Sequence, residues 1–319
     1  MEKDNKQQLQ KIQQLKDGIG TVFVGNTGAV HNLLIGFLSG LNVLIEDIPG
    51  VGKTTLAKTL ARSAALDFAR IQFTPDLLPG DIIGMTVWSV EKREFVFKPG
   101  AIMHQFILAD EVNRASARTQ SSLLEAMQEH SVTVDGVTYP LPEPFFVIAT
   151  QNPISFTGTF PLPEAQVDRF GVAFSIGYPS EHDEAGILTR FQETDPLSAL
   201  NPVIQPNEVS DIRARVRSVF VDKKIKDFIV AIARKTRAST KIRLGMSPRA
   251  SQHLLLAAQA CAFLDGRAFV IPEDVTAVSE VVIPHRVLLK AEARMENLSA
   301  QEIVRELVAG VKMPTGIGP

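Results

Sequence analysis

Five short runs of apolar residues, all within the first 180 or so positions, constrain the fold of this 319-residue chain most strongly. They are NVLIE (42–46), FARIQF (68–73), QFILAD (105–110), FFVIAT (145–150) and GVAFSI (171–176). Each run is continuous rather than alternating, which is typical of strands that are buried on both faces. Segments with helical spacing separate the runs. The sequence therefore predicts an α/β fold, with a parallel five-stranded sheet flanked by helices.

The pattern changes after about residue 180, where the strand signals stop. The remaining segments have the spacing of helices, and they are 209–218, 223–236, 247–264, 272–289 and 299–310. Ser247 is placed to cap the third of these helices, and Ser299 with Glu302 forms a capping box for the last. We therefore predict two domains, an α/β domain over 1–180 and an all-helical domain over 181–319.

Two inserts interrupt the α/β region. Residues 81–103 carry strand-forming residues with polar breaks, and residues 130–144 read as a hairpin. The hairpin is expected to turn at Asp135-Gly136, because this dipeptide suits a tight primed turn.

Composition excludes several classes of site. The one cysteine, Cys261, rules out a disulfide framework and a cysteine-built metal centre. The polar N-terminus lacks the apolar segment of a signal peptide, and no apolar run is long enough to cross a bilayer, so we expect a cytoplasmic protein without a membrane span. With 33 basic and 35 acidic residues, the net charge of −2 gives no support for nucleic-acid binding.

The stretch DIPGVGKTT (47–55) follows the first apolar run and opens a helical segment. Gly50 and Gly52 permit the backbone angles with which a loop aims its N–H groups at phosphate oxygens. Lys53 then supplies a cation for the β- and γ-phosphates, and the Thr54 hydroxyl is a ligand for Mg²⁺. Asp47 occupies the place where such a loop usually has its first glycine, so its charge needs a partner.

An acidic pair, Asp110-Glu111, ends the third apolar run. In a parallel sheet this pair reaches the same edge as the phosphate loop. We expect Asp110 to hold Mg²⁺, directly or through water, and Glu111 to polarise the attacking water.

Three further residues have a functional and a structural interpretation. Asn152 follows the fourth run and suits either a contact with the γ-phosphate or a turn before Pro153. Arg169 either stabilises phosphoryl charge across a subunit boundary or forms a surface salt bridge. Arg249 lies in the first turn of a predicted helix, where a cation is unfavourable unless an anion lies nearby.

The order of motifs in this chain resembles that of the AAA+ ATPases: the phosphate loop is followed by LADEVNRA, ATQNP, EAQVDRF and MSPRAS. Two further stretches, RIQFTPDLLPGDIIG and GYPSEHDE, narrow the resemblance to the MoxR family. It covers nearly the whole chain and implies an AAA+ core followed by a helical lid, with 81–103 as a helix-2 insert and 130–144 as a pre-sensor-1 hairpin. The implied nucleotide-binding residues are Val24, Gly25, Pro49, Gly50, Val51, Gly52, Lys53, Thr54 and Thr55. The implied metal ligands are Thr54 and Asp110, and the implied catalytic residues are Glu111, Lys53, Asn152 (sensor 1), Arg169 (arginine finger) and Arg249 (sensor 2).

The same resemblance implies a function and its partners. It implies ATP and Mg²⁺ as cofactors, a homo-oligomeric ring that is commonly a hexamer, and a chaperone-like role in maturing or activating partner complexes. It also implies a partner with a von Willebrand factor A domain. Arg114 and Arg118 are alternative candidates for the residue that reaches the neighbouring subunit, and for Asp47 we expect an arginine of the lid or of a neighbour as the partner.

Other functions remain open on the sequence alone. A magnesium-chelatase-like subunit uses a similar ring, and a nucleic-acid motor of the MCM type shares both inserts. The motor is disfavoured because residues 130–168 contain no Lys or Arg with which to grip a phosphate backbone. A nucleotide switch without hydrolysis is disfavoured by the presence of Glu111.

Overall fold

The computed structural model describes residues 2–152, 159–193 and 196–316, with the side chains of 2–6 and 191–193 outside the description. The helices are α1 (Glu2–Val22), α2 (Thr27–Ser39), α3 (Lys53–Ser63), α4 (Pro79–Ile83), α5 (Ala117–Glu129), α6 (Glu164–Val167), α7 (Glu181–Glu193), α8 (Pro196–Ala199), α9 (Pro206–Arg217), α10 (Lys223–Ala238), α11 (Pro248–Leu264), α12 (Pro272–Val282), α13 (Ala291–Met295) and α14 (Ala300–Ala309). The strands are β1 (Val43–Glu46), β2 (Phe68–Gln72), β3 (Gly84–Ser89), β4 (Glu94–Pro99), β5 (Phe106–Asp110), β6 (Ser131–Val134), β7 (Val137–Pro140), β8 (Phe146–Gln151), β9 (Val172–Phe174), β10 (Ile242–Leu244) and β11 (Leu288–Leu289).

The five apolar runs form one five-stranded sheet in the order β2-β5-β8-β1-β9, which confirms the predicted class. The pairings of β2 with β5, β5 with β8 and β8 with β1 are parallel. All five residues of β5 are buried, as are five of the six residues of β8, because these strands lie inside the sheet with both faces covered. Parallel pairing brings the carboxyl ends of β1, β5 and β8 to one edge, where polar residues replace the apolar ones.

The two inserts are antiparallel hairpins, β3–β4 and β6–β7. The second turns at Asp135 (φ 50°) and Gly136 (φ 80°), so the predicted primed turn is confirmed by the two positive angles. The first hairpin exposes an aromatic pair, in which the rings of Trp88 and Phe95 meet edge to face at 5.2 Å.

The region after residue 205 is mainly helical, as predicted. Ser247 accepts a hydrogen bond from Ala250 N at the start of α11, and Ser299 and Glu302 form the expected capping box of α14. The prediction of one helix over 272–289 was wrong in its second half. Helix α12 ends at Val282, a 3₁₀ turn follows over Pro284–Arg286, and β11 then pairs with β10 as a short antiparallel ribbon. Pro284 explains the ending, since proline has no N–H with which to continue the helical hydrogen bonds.

The described residues group into two compact units. The first comprises Met1–Val30, Asn42–Arg169 and Phe174–Ser210, and the second comprises His31–Leu41, Phe170–Ala173 and Asp211–Pro319. Residues 181–210 are thus grouped with the sheet. A compact unit is not the same thing as a domain that folds independently, so the boundary near residue 180 stays a prediction. In the described residues, no helix is both long and apolar enough to cross a membrane.

Candidate functional site

The loop between β1 and α3 has the backbone of an anion-binding turn. Gly50 and Gly52 have φ angles of 88° and 89°, which residues with a side chain rarely adopt. Gly52 is the N-cap of α3 and makes no side-chain capping bond, so the first turn of the helix presents its N–H groups and its positive dipole end. The loop is therefore suited to an anionic ligand.

Lys53 lies across this loop. Its Nζ donates to the carbonyl oxygens of Asp47 at 2.7 Å and Ile48 at 3.1 Å. Burial lowers the pKa of Lys53 below its usual value, although the nearby Asp47, Asp110 and Glu111 carboxylates oppose this effect. The cation is held close to the loop by two neutral oxygens, which an anionic ligand can replace.

The predicted acidic pair lies at the same sheet edge, and one hydroxyl holds both of its members. Thr150, fully buried at the end of β8, donates from Oγ1 to Asp110 Oδ1. The same hydroxyl accepts from the backbone N of Glu111 at 2.9 Å. Glu111 has a φ of 57°, a left-handed angle that turns the chain sharply at the end of β5. Thr150 thus fixes the position of one carboxylate and the backbone of the other.

Three polar side chains that our sequence reasoning did not assign to this place also contact the pair. Arg70 reaches Asp110 Oδ2 from Nη2 at 2.6 Å, Gln72 donates to Glu111 Oε2 at 3.2 Å, and Arg114 lies 3.0 Å from Glu111 Oε2. Arg70 and Gln72 alternate along β2, which pairs with β5 in a register that sets Gln72 beside Asp110. That alternation, in a run otherwise made of apolar residues, was the available signal. Arg114, a candidate for reaching a neighbour, contacts Glu111 of its own chain.

Two adjacent cavities border the loop. One, of about 380 Å³, is lined by Lys53, Thr54, Asp110 and Glu111 together with Pro49, Gly50, Gly52, Thr55, Arg70 and Gln72. The other, of about 230 Å³ and mostly apolar, is lined by residues that include Val24, Gly25, Val51, Ile176 and Gly177. Both include Gly50, Gly52 and Thr55, so the pair offers a polar compartment joined to an apolar one. This arrangement suits a ligand with phosphates at one end and a flat base at the other.

The polar cavity also has the donor set for a hard cation. The Asp110 carboxylate and the Thr54 hydroxyl both line it, and Mg²⁺ prefers oxygen ligands of this kind. These two residues fit the metal that the sequence predicts.

The remaining predicted residues lie in different places. Asn152 follows β8, where its carbonyl oxygen accepts from Asn113 Nδ2 at 3.3 Å. Arg169 follows α6 and is partly buried, and its Nε has no acceptor in the described part of the chain. Arg118 is exposed in the first turn of α5. Arg249 belongs to the second compact unit, in the first turn of α11.

The expectation for Asp47 was wrong. Its carboxylate is 5% exposed and meets backbone N–H groups and one hydroxyl rather than an arginine. Four donors already occupy its two oxygens, which leaves little room for a guanidinium from the lid or from another subunit.

Comparisons with known proteins agree with this geometry. Residues 42–172 match the family described as "ATPase family associated with various cellular activities (AAA)", and residues 234–307 match the "AAA lid domain". The chain is 47% identical to "Uncharacterized protein YeaC" of Bacillus subtilis, over 93% of this chain and 92% of that one. It is 38% identical to "Chaperone MoxR1" of Mycobacterium tuberculosis, over 92% of this chain and 80% of that one.

A solved structure extends the comparison to the fold. The crystal structure of a Cytophaga hutchinsonii protein assigned as an ATPase superposes with a TM-score of 0.92, at 37% identity, over 98% of both chains. Matched from the phosphate loop to the lid, this chain belongs to the MoxR family of AAA+ ATPases.

Proposed function

We propose that this protein is a Mg²⁺-dependent ATPase that forms a ring and uses ATP turnover to mature or activate partner protein complexes. The observation that carries the chemistry is the convergence of Lys53, Thr54, Asp110 and Glu111 on one cavity, next to an apolar cavity of a size for a base.

Each residue has a role that follows from its chemistry. The N–H groups of the loop bind the phosphates, and Lys53 exchanges its two carbonyl partners for their oxygens. Thr54 and Asp110 are the ligands of Mg²⁺, which neutralises phosphate charge when it is bound. Glu111 orients and polarises the attacking water, after its contacts with Gln72 and Arg114 loosen.

The ring is proposed because Arg169 has no evident role in its own site. An arginine given to a neighbouring subunit stabilises charge on the transferring phosphoryl group and is worth about 10³–10⁵ in turnover in related systems. Asn152 and Arg249 are proposed to sense the γ-phosphate from the sheet and from the lid. Turnover per subunit that stays constant on dilution through ring dissociation would contradict the ring.

The enzymatic part is tested by phosphate release from ATP, with and without Mg²⁺. Glu111→Gln keeps the shape of the side chain and should bind ATP normally while turnover falls by about 10²–10⁴. Lys53→Ala should lose binding. Activity that survives Glu111→Gln unchanged would overturn the assignment.

The partner function is tested with the same pair of variants. Glu111→Gln in ATP should trap a client or an adaptor with a von Willebrand factor A domain, and Lys53→Ala is the matched control for proteins that bind regardless of ATP. The relative named as a chaperone supports this function. The same captures in both variants would contradict it.

The alternative functions predict other results. The β6–β7 hairpin (Ser131–Pro140) carries no Lys or Arg, which argues against a nucleic-acid motor. DNA binding that weakens steeply with salt would revive that alternative. A magnesium-chelatase-like subunit would require a tetrapyrrole substrate complex among the trapped partners.

A further inference from the structure

Asp47 is the buried acid at the start of the phosphate loop, and its carboxylate collects donors from a distant part of the sequence. Oδ2 accepts from Ser175 Oγ at 2.9 Å, Ile176 N at 2.6 Å and Gly177 N at 2.8 Å. Oδ1 accepts from Ile48 N at 2.9 Å. Although burial alone raises the pKa of Asp47, the hydrogen bonds led by that of Gly177 outweigh it and lower the pKa below its usual value.

A second side chain holds the same segment, residues 175–177, through its carbonyl. Asn26 Nδ2 donates to Ile176 O at 3.0 Å. The other end of this amide, Oδ1, accepts from Gly28 N at 2.9 Å and so caps the start of α2. The N–H and the C=O of Ile176 are therefore both held by side chains, which fixes the segment more firmly than one bond would.

The segment held in this way is a wall of the apolar cavity. Ile176 and Gly177 line it together with Gly50 and Gly52 of the loop and with Asn26. The backbone oxygen of Asp47 meanwhile accepts from Lys53 Nζ at 2.7 Å. One residue thus joins the lysine of the polar cavity to the wall of the apolar cavity.

We propose that Asp47 is a positioning residue, which fixes the wall of the base cavity to the phosphate loop and so determines affinity for the nucleoside part of the ligand. This inference rests on the proposed ATPase function. It assigns a reason for an acid where a glycine is usual. The carboxylate holds the cavity wall rather than the phosphates, and four hydrogen-bond donors stabilise its charge.

Binding of two ligands distinguishes an effect of Asp47 on the base cavity from an effect on the phosphate loop or on overall stability. Inorganic tripolyphosphate engages the phosphate loop but has no base, whereas ATP engages both cavities. In Asp47→Asn, an NH₂ group replaces one acceptor oxygen and the negative charge is lost, so the donors from residues 175–177 keep at most a neutral acceptor. We expect the Kd for ATP to rise about tenfold or more, as the loss of bonds to a charged acceptor implies. The Kd for tripolyphosphate should change less than about twofold, within the range of a surface substitution.

The variants are compared by calorimetry on the full chain, with thermal unfolding measured in parallel. Asp222→Asn is the matched control, because Asp222 is also an acid that accepts from a backbone N–H, at the start of α10. Asn26→Ser is the second variant, in case Asp47→Asn folds poorly. Serine keeps a capping oxygen for α2 but loses the donor to Ile176, so it should also weaken ATP more than tripolyphosphate.

Each outcome decides the inference. Equal weakening of both ligands would mean that Asp47 acts on the loop or on overall stability, and no weakening would leave it an ordinary strand-end residue; either result overturns the proposal. Failure of the wild-type protein to bind ATP would instead contradict the proposed function.

Discussion

Thr150 is the residue on which the two carboxylates of the site depend together. Its hydroxyl donates to Asp110 and accepts from the backbone N of Glu111. Thr150→Val keeps the volume of the side chain but removes the hydroxyl partner of that N–H and of Asp110 Oδ1, while Asp110 Oδ2 keeps Arg70. An unsatisfied buried group costs about 1–3 kcal/mol. If most of this energy is lost from the transition state rather than from the bound ground state, kcat for ATP hydrolysis falls about tenfold or more, while KM changes little.

Thr133→Val is the matched control for this variant. Thr133 pairs its hydroxyl with Thr138 across the exposed face of the β6–β7 hairpin, so its loss should leave kcat unchanged. If Thr150→Val lowered the melting temperature while kcat stayed the same, Thr150 would hold the strand end without serving the reaction.

Arg70 and Mg²⁺ are expected to compete for Asp110. The guanidinium lies 2.6 Å from Asp110 Oδ2, and its side chain is 46% exposed, so the pair contributes only about 0.2–1 kcal/mol. Arg70→Ala should therefore lower the Mg²⁺ concentration that gives half-maximal ATPase activity by up to about fivefold.

Arg305→Ala removes another exposed ion pair, that with Glu280, and should leave the Mg²⁺ requirement unchanged. A requirement that rose in Arg70→Ala would show instead that the guanidinium helps to hold the phosphates of the ligand.

The sequence was enough to predict the residues whose chemistry is local to a motif. Gly50, Gly52 and Lys53 follow from the loop, and Asp110 and Glu111 follow from an acid pair that ends a buried strand. Contacts between strands could not be predicted from the sequence, because they depend on the register in which the strands pair. Arg70 is signalled only as a polar break in the run of β2, and the register decides which acid it meets. Thr150 and residues 175–177 meet Asp110 and Asp47 from other strands and segments, and no spacing along the chain reveals those contacts.

At the scale of elements, the contact between α11 and the turn after α12 predicts a pH dependence of stability. His253 Nδ1 lies 2.6 Å from Arg286 Nη2 and accepts its hydrogen bond, which requires a neutral ring. Burial, with help from the charges of Arg286 and Arg249, lowers the pKa of His253 to about 3. Burial also lowers the pKa of His285 well below its usual value.

Both histidines bind a proton more readily in the unfolded chain than in the folded one. Their contribution to stability is therefore complete above the unfolded pKa of about 6.5 and is lost as pH falls below it, for His253 down to its folded pKa of about 3. We expect the free energy of unfolding to fall by up to about 1.4 kcal/mol per pH unit for each histidine in this range. Urea unfolding followed by far-UV circular dichroism from pH 7 to pH 4 measures the slope.

His253→Gln removes the titrating ring but keeps an oxygen that accepts from Arg286, so the slope should become shallower. His182→Gln, at an exposed position of α7, is the control and should leave it unchanged. An unchanged slope in His253→Gln would contradict the assignment of the pH dependence to this contact.

The elements themselves were mostly readable from the sequence. The five apolar runs became the five strands because continuous burial favours that pattern, and the capped helices began where their serines predicted. The pattern failed at 272–289, where apolar spacing continues through Pro284 into a turn and a strand. The spacing of apolar residues shows which positions are buried, but a helix, a turn and a strand can each bury their residues, so the spacing alone does not distinguish them here.

At the scale of the whole molecule, the proposed ring, in which a neighbour completes each site, predicts that two inactive variants restore each other when mixed. Lys53→Ala lacks a working nucleotide site but keeps Arg169, and Arg169→Ala has the reverse defect. In an equal, randomly mixed ring, about one site in four has both an intact lysine and an intact neighbouring arginine, so about a quarter of wild-type turnover should return.

The controls are each variant alone and a mixture of Lys53→Ala with Glu111→Gln. In that mixture every subunit has a defect in its own nucleotide site, so an intact Arg169 from a neighbour should restore no activity. If mixing Lys53→Ala with Arg169→Ala restores nothing, Arg169 does not act across subunits. The same mixing experiment is then repeated with Arg118→Ala in place of Arg169→Ala, to test Arg118 as the residue that acts across subunits.

The β3–β4 hairpin has a practical consequence. Trp88 is the one tryptophan of the sequence, and its side chain is 54% exposed beside Phe95. Indole emission of the intact protein therefore arises at this hairpin alone. Any partner that covers it should shift the emission to shorter wavelength and shield it from iodide quenching, so the chain carries its own optical reporter of contact with this insert, without a dye or a label.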